Sequence, residues 1–325
     1  MMTAPTEATE PPSSRVGGES RGRGDRVFFA MTGVSGAFMV AVIVAIGVFL
    51  VVQALPALRD DTTNPLTTKV FTPEADHPTW GIAVLAFGTV LTSVVAMVLA
   101  VPVALGVAIF VTQLAPRRVA GFLGGLVDLL AAVPSVVYGL WGVAYLNTHL
   151  QGFNAFLHDH LGWFPLFGDT GGRYSKSILL AAVVLAIMVL PIVAALSREV
   201  LLQVPTSLVE GALALGATRW EAVRTAVLPP SRPGIVSAVM LGLGRALGET
   251  IAVALVLGFS PEITAHILGP GGNTIAANIA TKFGEYSSQG RGALIATGLV
   301  LFVITFVVNA AARAIVIRSA KRRLA

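Results

Sequence analysis

The chain has 325 residues, of which 55% are hydrophobic and only 12% are charged. A soluble globular domain carries about twice that charged fraction, and the absence of cysteine excludes disulfides, thiol chemistry and a zinc–thiolate site. The formal net charge of +5 is more typical of the basic flanks of a membrane protein than of nucleic-acid binding.

The first segment, residues 1–26, is rich in Pro, Thr, Ser, Gly and Arg. It has no apolar face to bury, so we predict a disordered cytoplasmic tail. The apolar run 27–52 is longer than the core of a signal peptide, and no small-residue cleavage pattern follows it. We therefore predict that it is a membrane span that stays in the protein.

Six apolar runs are long enough to cross a bilayer. They are residues 27–52, 82–112, 119–145, 177–196, 235–259 and 292–317. The pattern predicts an all-α, polytopic membrane helix bundle over residues 27–325. The second run is longer than a bilayer needs, so it is tilted, bent near Pro102 or extended beyond the membrane. Pro134 and Pro191 are expected to kink the third and fourth helices beside a cavity.

Asp128 lies near the middle of the third run, where a charged side chain needs a partner. The carboxylate could pair with an arginine of a partner subunit, or accept a hydrogen bond from Tyr138 or a backbone group. We favour structural pairing and keep Asp128 as a candidate residue of a substrate path.

The loop 147–176 combines Phe, Trp and Leu residues with His158 and His160. Aromatic and apolar side chains at this density predict a short helix in the outer membrane interface. Histidines two positions apart do not share a helix face. We therefore predict solvated histidines here and no metal site or cofactor.

A structured cytoplasmic segment, residues 205–230, separates the fourth and fifth runs. Ser207 and Glu210 have the spacing of a capping box, which predicts a first short helix. Gly216 supplies the left-handed residue that ends a helix without a Cβ clash.

Thr218 and Glu221 repeat the capping-box spacing and predict a second helix, which Pro229 and Pro230 are expected to end. The product could be a plain surface hairpin or a DNA-reading motif. Two short, partly apolar helices fit a docking element better, because such a face needs a partner.

Two opposite charges, Arg245 and Glu249, lie inside the fifth run. Arg245 is about 15 Å from Ile235 along a helix, and a charge at that depth costs at least about 2.5–3.5 kcal/mol. The four-residue spacing predicts one helix face, so the pair could be an internal salt bridge. Alternatively, Arg245 meets a tetrahedral oxyanion in a central passage while Glu249 orients it.

Basic residues divide unevenly between the two sets of loops. With the N-terminus inside, fifteen Lys and Arg residues flank the cytoplasmic side and six lie outside. The positive-inside rule then predicts a multi-pass plasma (inner) membrane protein with both termini in the cytoplasm.

The cytoplasmic segment resembles the EAA loop of ABC importer permeases, which inserts into a groove of the ATPase subunit. The resemblance implies an ATPase-docking set that comprises Glu210, Ala212, Gly216, Leu228 and Pro229. Gly211 stands where alanine is usual and Ala226 where isoleucine is common, but the spacing is intact.

Four further motifs resemble PstC-type permeases of phosphate importers. They are GRALGET at 244–250, AAVPSVVYG at 131–139, NIA at 278–280 and FGE at 283–285. The resemblance runs from residue 27 to the C-terminus, although Asp128 stands where such permeases more often have glutamate. It implies a type I ABC importer permease fold and three kinds of partner: a PstA-type permease, a PstB-type ATPase dimer and an extracytoplasmic PstS-type phosphate-binding protein.

The sequence contains no phosphate-binding loop of an ATPase and no hydrolytic triad. We therefore expect a transport subunit driven by a separate ATPase. A permease for sulfate or molybdate is the nearest alternative, while Gly244 and the Ala-Val-Pro-Ser run argue against a PstA-type permease. A membrane scaffold would gain nothing from midplane charges, and six spans are few for a proton-driven transporter acting alone.

Overall fold

A computed structural model describes residues 23–60, 68, 71–73, 79–168, 170–258 and 263–321. Most of the predicted tail, residues 1–22, lies outside the described residues. Helix α1 (Arg23–Asp60) begins at Arg23, four residues before the predicted start of the first span at residue 27. Asp25 lies in its first turn, where a negative charge favours the helix dipole.

The chain divides into two compact units, Met1–Phe49 and Leu50–Ala325. The described part of the first unit is the N-terminal part of α1. Its apolar side chains, such as Phe28 and Phe38, are exposed all around the helix, which is the pattern of a membrane-spanning helix.

The second unit is built around helix α6 (Ile178–Leu202). In the most apolar 18-residue stretch of this helix, 72% of the residues are buried. Ser177 begins this helix, because its hydroxyl accepts a hydrogen bond from the Leu180 amide at 3.1 Å. Helix α2 (Ile82–Ile109) packs along α6 and continues through a π-helical turn, Phe110–Leu114. Pro102 and Pro191 lie inside these helices, and neither proline ends its helix.

The predicted third span is not one straight helix. It consists of α3 (Arg117–Ala131), α4 (Ser135–Trp141), a π-helical turn (Gly142–Leu146) and α5 (Asn147–Leu161). The axis bends by 87° between α3 and the α4–α5 stretch. Pro134 sits in the break with an extended backbone, which confirms the expected kink, since proline lacks the amide hydrogen that would continue the helix.

The remaining helices contain the hairpin and the last two spans. They are α7 (Thr206–Ala214), α8 (Arg219–Ala222), α9 (Leu228–Leu247), α10 (Ile251–Val256), α11 (Ile275–Lys282) and α12 (Ser288–Lys321), with a π-helical turn (Val223–Val227) joining α8 to α9. The single fifth span predicted over 235–259 is therefore wrong, because the helix breaks between Leu247 and Ile251.

Two buried clusters give the direction of these helices. Ala108 near the end of α2 packs with Ile235 near the start of α9, whereas Ile82 at the start of α2 packs with Ala296 of α12. Helix α9 therefore runs away from the end of the bundle that carries α7 and α8, and α12 runs back towards it.

Five helices of the described residues are long and apolar enough to cross a membrane, and the bent α3–α5 stretch would make a sixth crossing. A two-stranded ribbon, β1 (Phe71–Thr72) with β2 (Thr79–Trp80), is antiparallel and pairs Phe71 with Trp80. The predicted all-α polytopic helix bundle is confirmed, with the third and fifth crossings broken.

Candidate transport and docking sites

The hairpin begins without the first predicted capping box. Pro205 is the N-cap of α7, and no side chain caps that helix. The Ser207–Glu210 prediction is wrong because α7 starts at Thr206, two residues earlier than an N-cap at Ser207 would require, which places Ser207 inside the first turn. Proline needs no amide partner at a helix start, so Pro205 is well suited to the position it occupies.

The turn between α7 and α8 confirms the role predicted for Gly216. Its φ is 87°, a left-handed conformation that costs a residue with a Cβ about 1–2 kcal/mol. The Gly216 amide donates to Leu213 O at 3.0 Å and the Ala217 amide donates to Ala212 O at 3.1 Å. These two bonds are the Schellman motif that closes a helix C-terminus.

The second capping box is also confirmed. The Glu221 amide donates to Thr218 Oγ1 at 3.3 Å, and the Thr218 amide donates to Glu221 Oε2 at 2.8 Å. These bonds satisfy backbone donors that would otherwise have no partner at the start of α8. The angle between the two short helices is therefore held from both sides, by Gly216 and by Thr218.

Pro229 and Pro230 do not end the second helix, contrary to the prediction. The π-helical turn Val223–Val227 leads directly into α9, so the chain is helical without a gap from Arg219 to Leu247. Both prolines fall in the first turn of α9, where a missing amide hydrogen removes no bond within that segment.

The hairpin exposes apolar side chains along its length, from the first turn of α7 to α8. Leu215 is 91% exposed, Trp220 56% and Leu208 46%. Such a surface favours a partner, because its apolar area is in contact with water in the isolated chain. Of the predicted docking set, Glu210 and Gly216 are exposed on the hairpin.

The other members of that set are less exposed. Ala212 is half-buried in α7, and Leu228 and Pro229 are half-buried at the start of α9. Leu228 packs against the cluster around Val227 and Ile235. It thus connects the hairpin to the bundle as well as standing next to the exposed surface.

Arg245 lies in the last turn of α9 and lines a groove of about 1080 Å³ between α6, α9 and α12. Glu249 does not share its helix face, because α9 ends at Leu247 with Gly248 as its C-cap. Glu249 is buried, and its Oε1 accepts a hydrogen bond from the Ala252 amide at 3.2 Å. Within the described part of the chain, no salt bridge joins Arg245 to Glu249.

The two helix breaks lie close together. Helix α4 packs on α10 so tightly that a Cβ on Gly139 would lie 2.9 Å from Ala252 Cα. Tyr138 donates a hydrogen bond across the first break to Leu130 O at 3.0 Å, and Arg245 acts electrostatically on the same hydroxyl. The fold thus brings together the segments 131–139 and 244–250.

Asp128 lies in a different place. Its Oδ2 is 3.3 Å from Arg198 Nη2 of α6, beside a second groove of about 470 Å³. A Cβ on Gly124 would lie 2.7 Å from Arg198 Nη1, so the glycine makes room for the guanidinium. The partners considered from the sequence were an arginine of another subunit, Tyr138 and a backbone group. The structure instead provides Arg198 of the same chain.

The remaining motifs lie towards the opposite end of the bundle from the hairpin. Asn278 of α11 is buried, and Lys282 forms a salt bridge with Glu285 that raises the pKa of the lysine above its usual value. His158 Nδ1 faces Phe167 O at 3.1 Å and His160 Nδ1 faces Phe156 O at 2.9 Å. The two histidine rings therefore have different partners.

The apolar bundle, its two broken crossings and the attached hairpin define a multi-pass membrane transport component. A family model described as "Binding-protein-dependent transport system inner membrane component" matches residues 100–321. The chain belongs to this family. It is the permease subunit of an ABC transporter, a class in which a separate subunit hydrolyses ATP.

Several curated relatives cover most of the chain. "Phosphate transport system permease protein PstC 2" of Mycobacterium tuberculosis is 45% identical over 319 residues, which is 97% of this chain and 98% of that protein. PstC of Mycobacterium leprae is 47% identical over 272 residues, covering 82% and 85%. PstC of Xylella fastidiosa is 44% identical over 246 residues, covering 75% and 76%.

Solved structures confirm the fold. A bacterial ABC transporter involved in the import of alginate has a chain that superposes with a TM-score of 0.53 at 14% identity, covering 90% of this chain and 99% of that chain. An inward-facing MetNI methionine transporter gives 0.51 at 19% identity, covering 71% and 93%. At these identities the likeness supports the ABC importer permease fold and carries no information about the substrate.

Proposed function

We propose that this chain is the membrane-spanning permease of an ATP-driven importer for inorganic phosphate. The observation that carries the proposal is the 45% identity to a phosphate transport permease over 97% of the chain. The groove beside Arg245 supports it, because a guanidinium offers planar paired donors that match phosphate oxygens.

The same resemblance supports the proposal that the chain assembles with three kinds of partner. They are a PstA-type permease, a PstB-type ATPase dimer and an extracytoplasmic PstS-type binding protein. Both termini and the hairpin would lie in the cytoplasm, as the basic flanks predict. Residues 27–325 would then form the permease domain and 205–230 its coupling segment.

The hairpin is the proposed contact with the ATPase. Its exposed leucines at 208, 213 and 215 suit a groove on a partner, and the capped turn fixes the direction in which they point. Glu210, Ala212 and Gly216 would contact the ATPase directly. Leu228 and Pro229 would pass the resulting movement to α9.

The proposed substrate path runs beside Arg245. Since the Glu249 carboxylate accepts a hydrogen bond from the Ala252 amide in the first turn of α10, its role would be to fix the helix break beside the arginine rather than to neutralise the arginine directly. Asp128, held by Arg198 at the second groove, would join the path only in another state of the transport cycle.

Uptake of labelled phosphate into membrane vesicles tests the proposal, with and without the co-expressed ATPase. Arg245→Ala should reduce uptake by at least about 10-fold, since a hydrogen bond to a charged group contributes roughly 1.5–3 kcal/mol. Arg232→Ala is a matched control, because Arg232 is exposed on the same helix and does not line the groove.

Two outcomes would contradict the proposal. Uptake of sulfate or molybdate, with no uptake of phosphate, would indicate a permease for another oxyanion. Purification of the chain without any ATPase, together with no phosphate uptake above background, would favour the scaffold alternative.

A further inference from the structure

A second arginine lines the groove that contains Arg245. Arg313 of α12 lies on the wall opposite α9, and both arginines are exposed to the groove in the isolated chain. By sequence alone, Arg313 belongs to the basic flank of the last span. The structure instead places it beside a cavity of about 1080 Å³.

Counting residues along the helices places the two arginines at similar depth in the bundle. Arg313 is about 26 Å along α12 from Ala296, which packs at the start of α2. Arg245 is about 15 Å along α9 from Ile235, which packs near the opposite end of α2. Measured from the start of α2, the two positions are about 26 Å and 24 Å. For helices that run alongside α2, the Cα atoms of the two arginines therefore fall near one level of the groove.

Within the described residues, no negative charge is paired with Arg245 or Arg313. No carboxylate of that part of the chain forms a salt bridge with Arg245 or Arg313, and no acidic residue lines the groove. The nearby Glu249 carboxylate already accepts a hydrogen bond from the amide of Ala252. Two like charges in an apolar groove favour an anion between them.

The groove also offers a neutral donor close to the arginines. Asn309 precedes Arg313 by four residues, so the two side chains share a face of α12. Its amide can donate hydrogen bonds without adding charge. Phe306 and Ile192 line the same groove and make much of its remaining surface apolar.

We propose that Arg245 and Arg313 form a two-arginine site for a tetrahedral oxyanion, with Asn309 as an additional donor. This inference rests on the proposed function, because the transported anion is the expected occupant. Guanidinium groups on opposite walls can each donate paired hydrogen bonds, so they hold a dianion more tightly than either could alone. Arg313 would thereby be a specificity-determining residue.

Cysteine labelling tests this site without relying on transport. The chain contains no cysteine, so Ala310→Cys places a single thiol in the groove and Val303→Cys, at a position of α12 that does not line it, is the control. In the reconstituted transporter, saturating phosphate should slow reaction of the groove thiol with an anionic thiol reagent by at least about 10-fold. The control thiol should be unaffected.

The phosphate concentration needed for protection should rise about 10- to 100-fold in an Arg313→Ala background, since one charged donor set is lost. Arg313→Lys should recover only part of this loss, because lysine keeps the charge but not the planar fork. Because this variant retains the charge, it also tests the site if Arg313→Ala fails to fold. Arg232→Ala should leave the protecting concentration within about twofold.

Equal protection in the wild-type and Arg313→Ala backgrounds would overturn the inference, as would the absence of protection by any oxyanion. Protection by sulfate but not by phosphate, lost in Arg313→Ala, would support the two-arginine site and refute phosphate as its ligand. The two proposals can therefore fail separately.

Discussion

Replacing Gly216 with alanine should loosen the hairpin through the backbone alone. The φ of Gly216 is 87°, and nothing lies within 4 Å of the position that a Cβ would take. The penalty is therefore conformational, about 1–2 kcal/mol for a residue with a Cβ in a left-handed turn. A change of that size shifts the opening equilibrium of the turn about 5- to 30-fold.

Hydrogen exchange of the reconstituted transporter measures this opening. The amides of Gly216 and Ala217 close the Schellman motif, so the peptide that contains them should exchange about 5- to 30-fold faster in Gly216→Ala. Gly216→Asn should show a smaller effect, because asparagine tolerates the left-handed region better than alanine.

Gly211→Ala is the matched control for this experiment. Gly211 also has nothing within 4 Å of a built Cβ, but it lies inside α7, where alanine stabilises a helix by about 0.5–1 kcal/mol relative to glycine. Its hairpin should therefore exchange no faster than the wild type. Equal acceleration by both substitutions would refute the assignment of the effect to the left-handed turn.

Two further predictions concern packing and charge. Gly88→Ala should lower the thermal unfolding midpoint in detergent, because the new Cβ would lie 2.8 Å from Asn273 O and overpacking costs about 1–3 kcal/mol. The control is Gly106→Ala, whose Cβ would have no atom within 4 Å. A midpoint for Gly88→Ala no lower than that of the control would contradict the prediction. A double-mutant cycle of Asp128→Ala and Arg198→Ala should give a coupling energy of at most about 1 kcal/mol, since the Asp128 side chain is 53% exposed. A coupling energy above about 2 kcal/mol would contradict this, because it would show that the pair is shielded from water.

Local signals predicted the hairpin well. The Thr218–Glu221 box and the left-handed Gly216 depend on residues within one or two turns, and both are present in the structure. The first box failed because Pro205 already provides a helix start two positions before Ser207. Two start signals then competed, and spacing alone could not rank them.

The wrong predictions near the candidate site have a common cause. A π-helical turn before Leu228 lets the helix pass Pro229 and Pro230, and the register change has no marker in the hydrophobic pattern. The break after Leu247 is followed by a hydrogen bond from the Ala252 amide to the Glu249 carboxylate, a local contact that the continuous apolar pattern of the run does not indicate. Helical spacing alone therefore predicted a pair on one face where the structure has two separate helices.

The sequence could not predict the long-range side-chain pairings, for a different reason. Arg198 is 70 residues from Asp128 in the chain, and nothing local distinguishes it from the other basic residues at the ends of spans. Arg313 was assigned to a basic flank for the same reason. Which arginine faces a groove depends on how the helices cross.

The gapless helix from Arg219 to Leu247 spans 29 residues, or about 44 Å. One end carries the exposed surface of α8, and the other ends two residues beyond Arg245, with no loop to absorb a displacement. Rotating this rod by about 10° about its Arg219 end would swing Arg245, about 39 Å away, through about 7 Å. Small angular changes of this helix thus suffice to relocate a charged group by more than one helical turn.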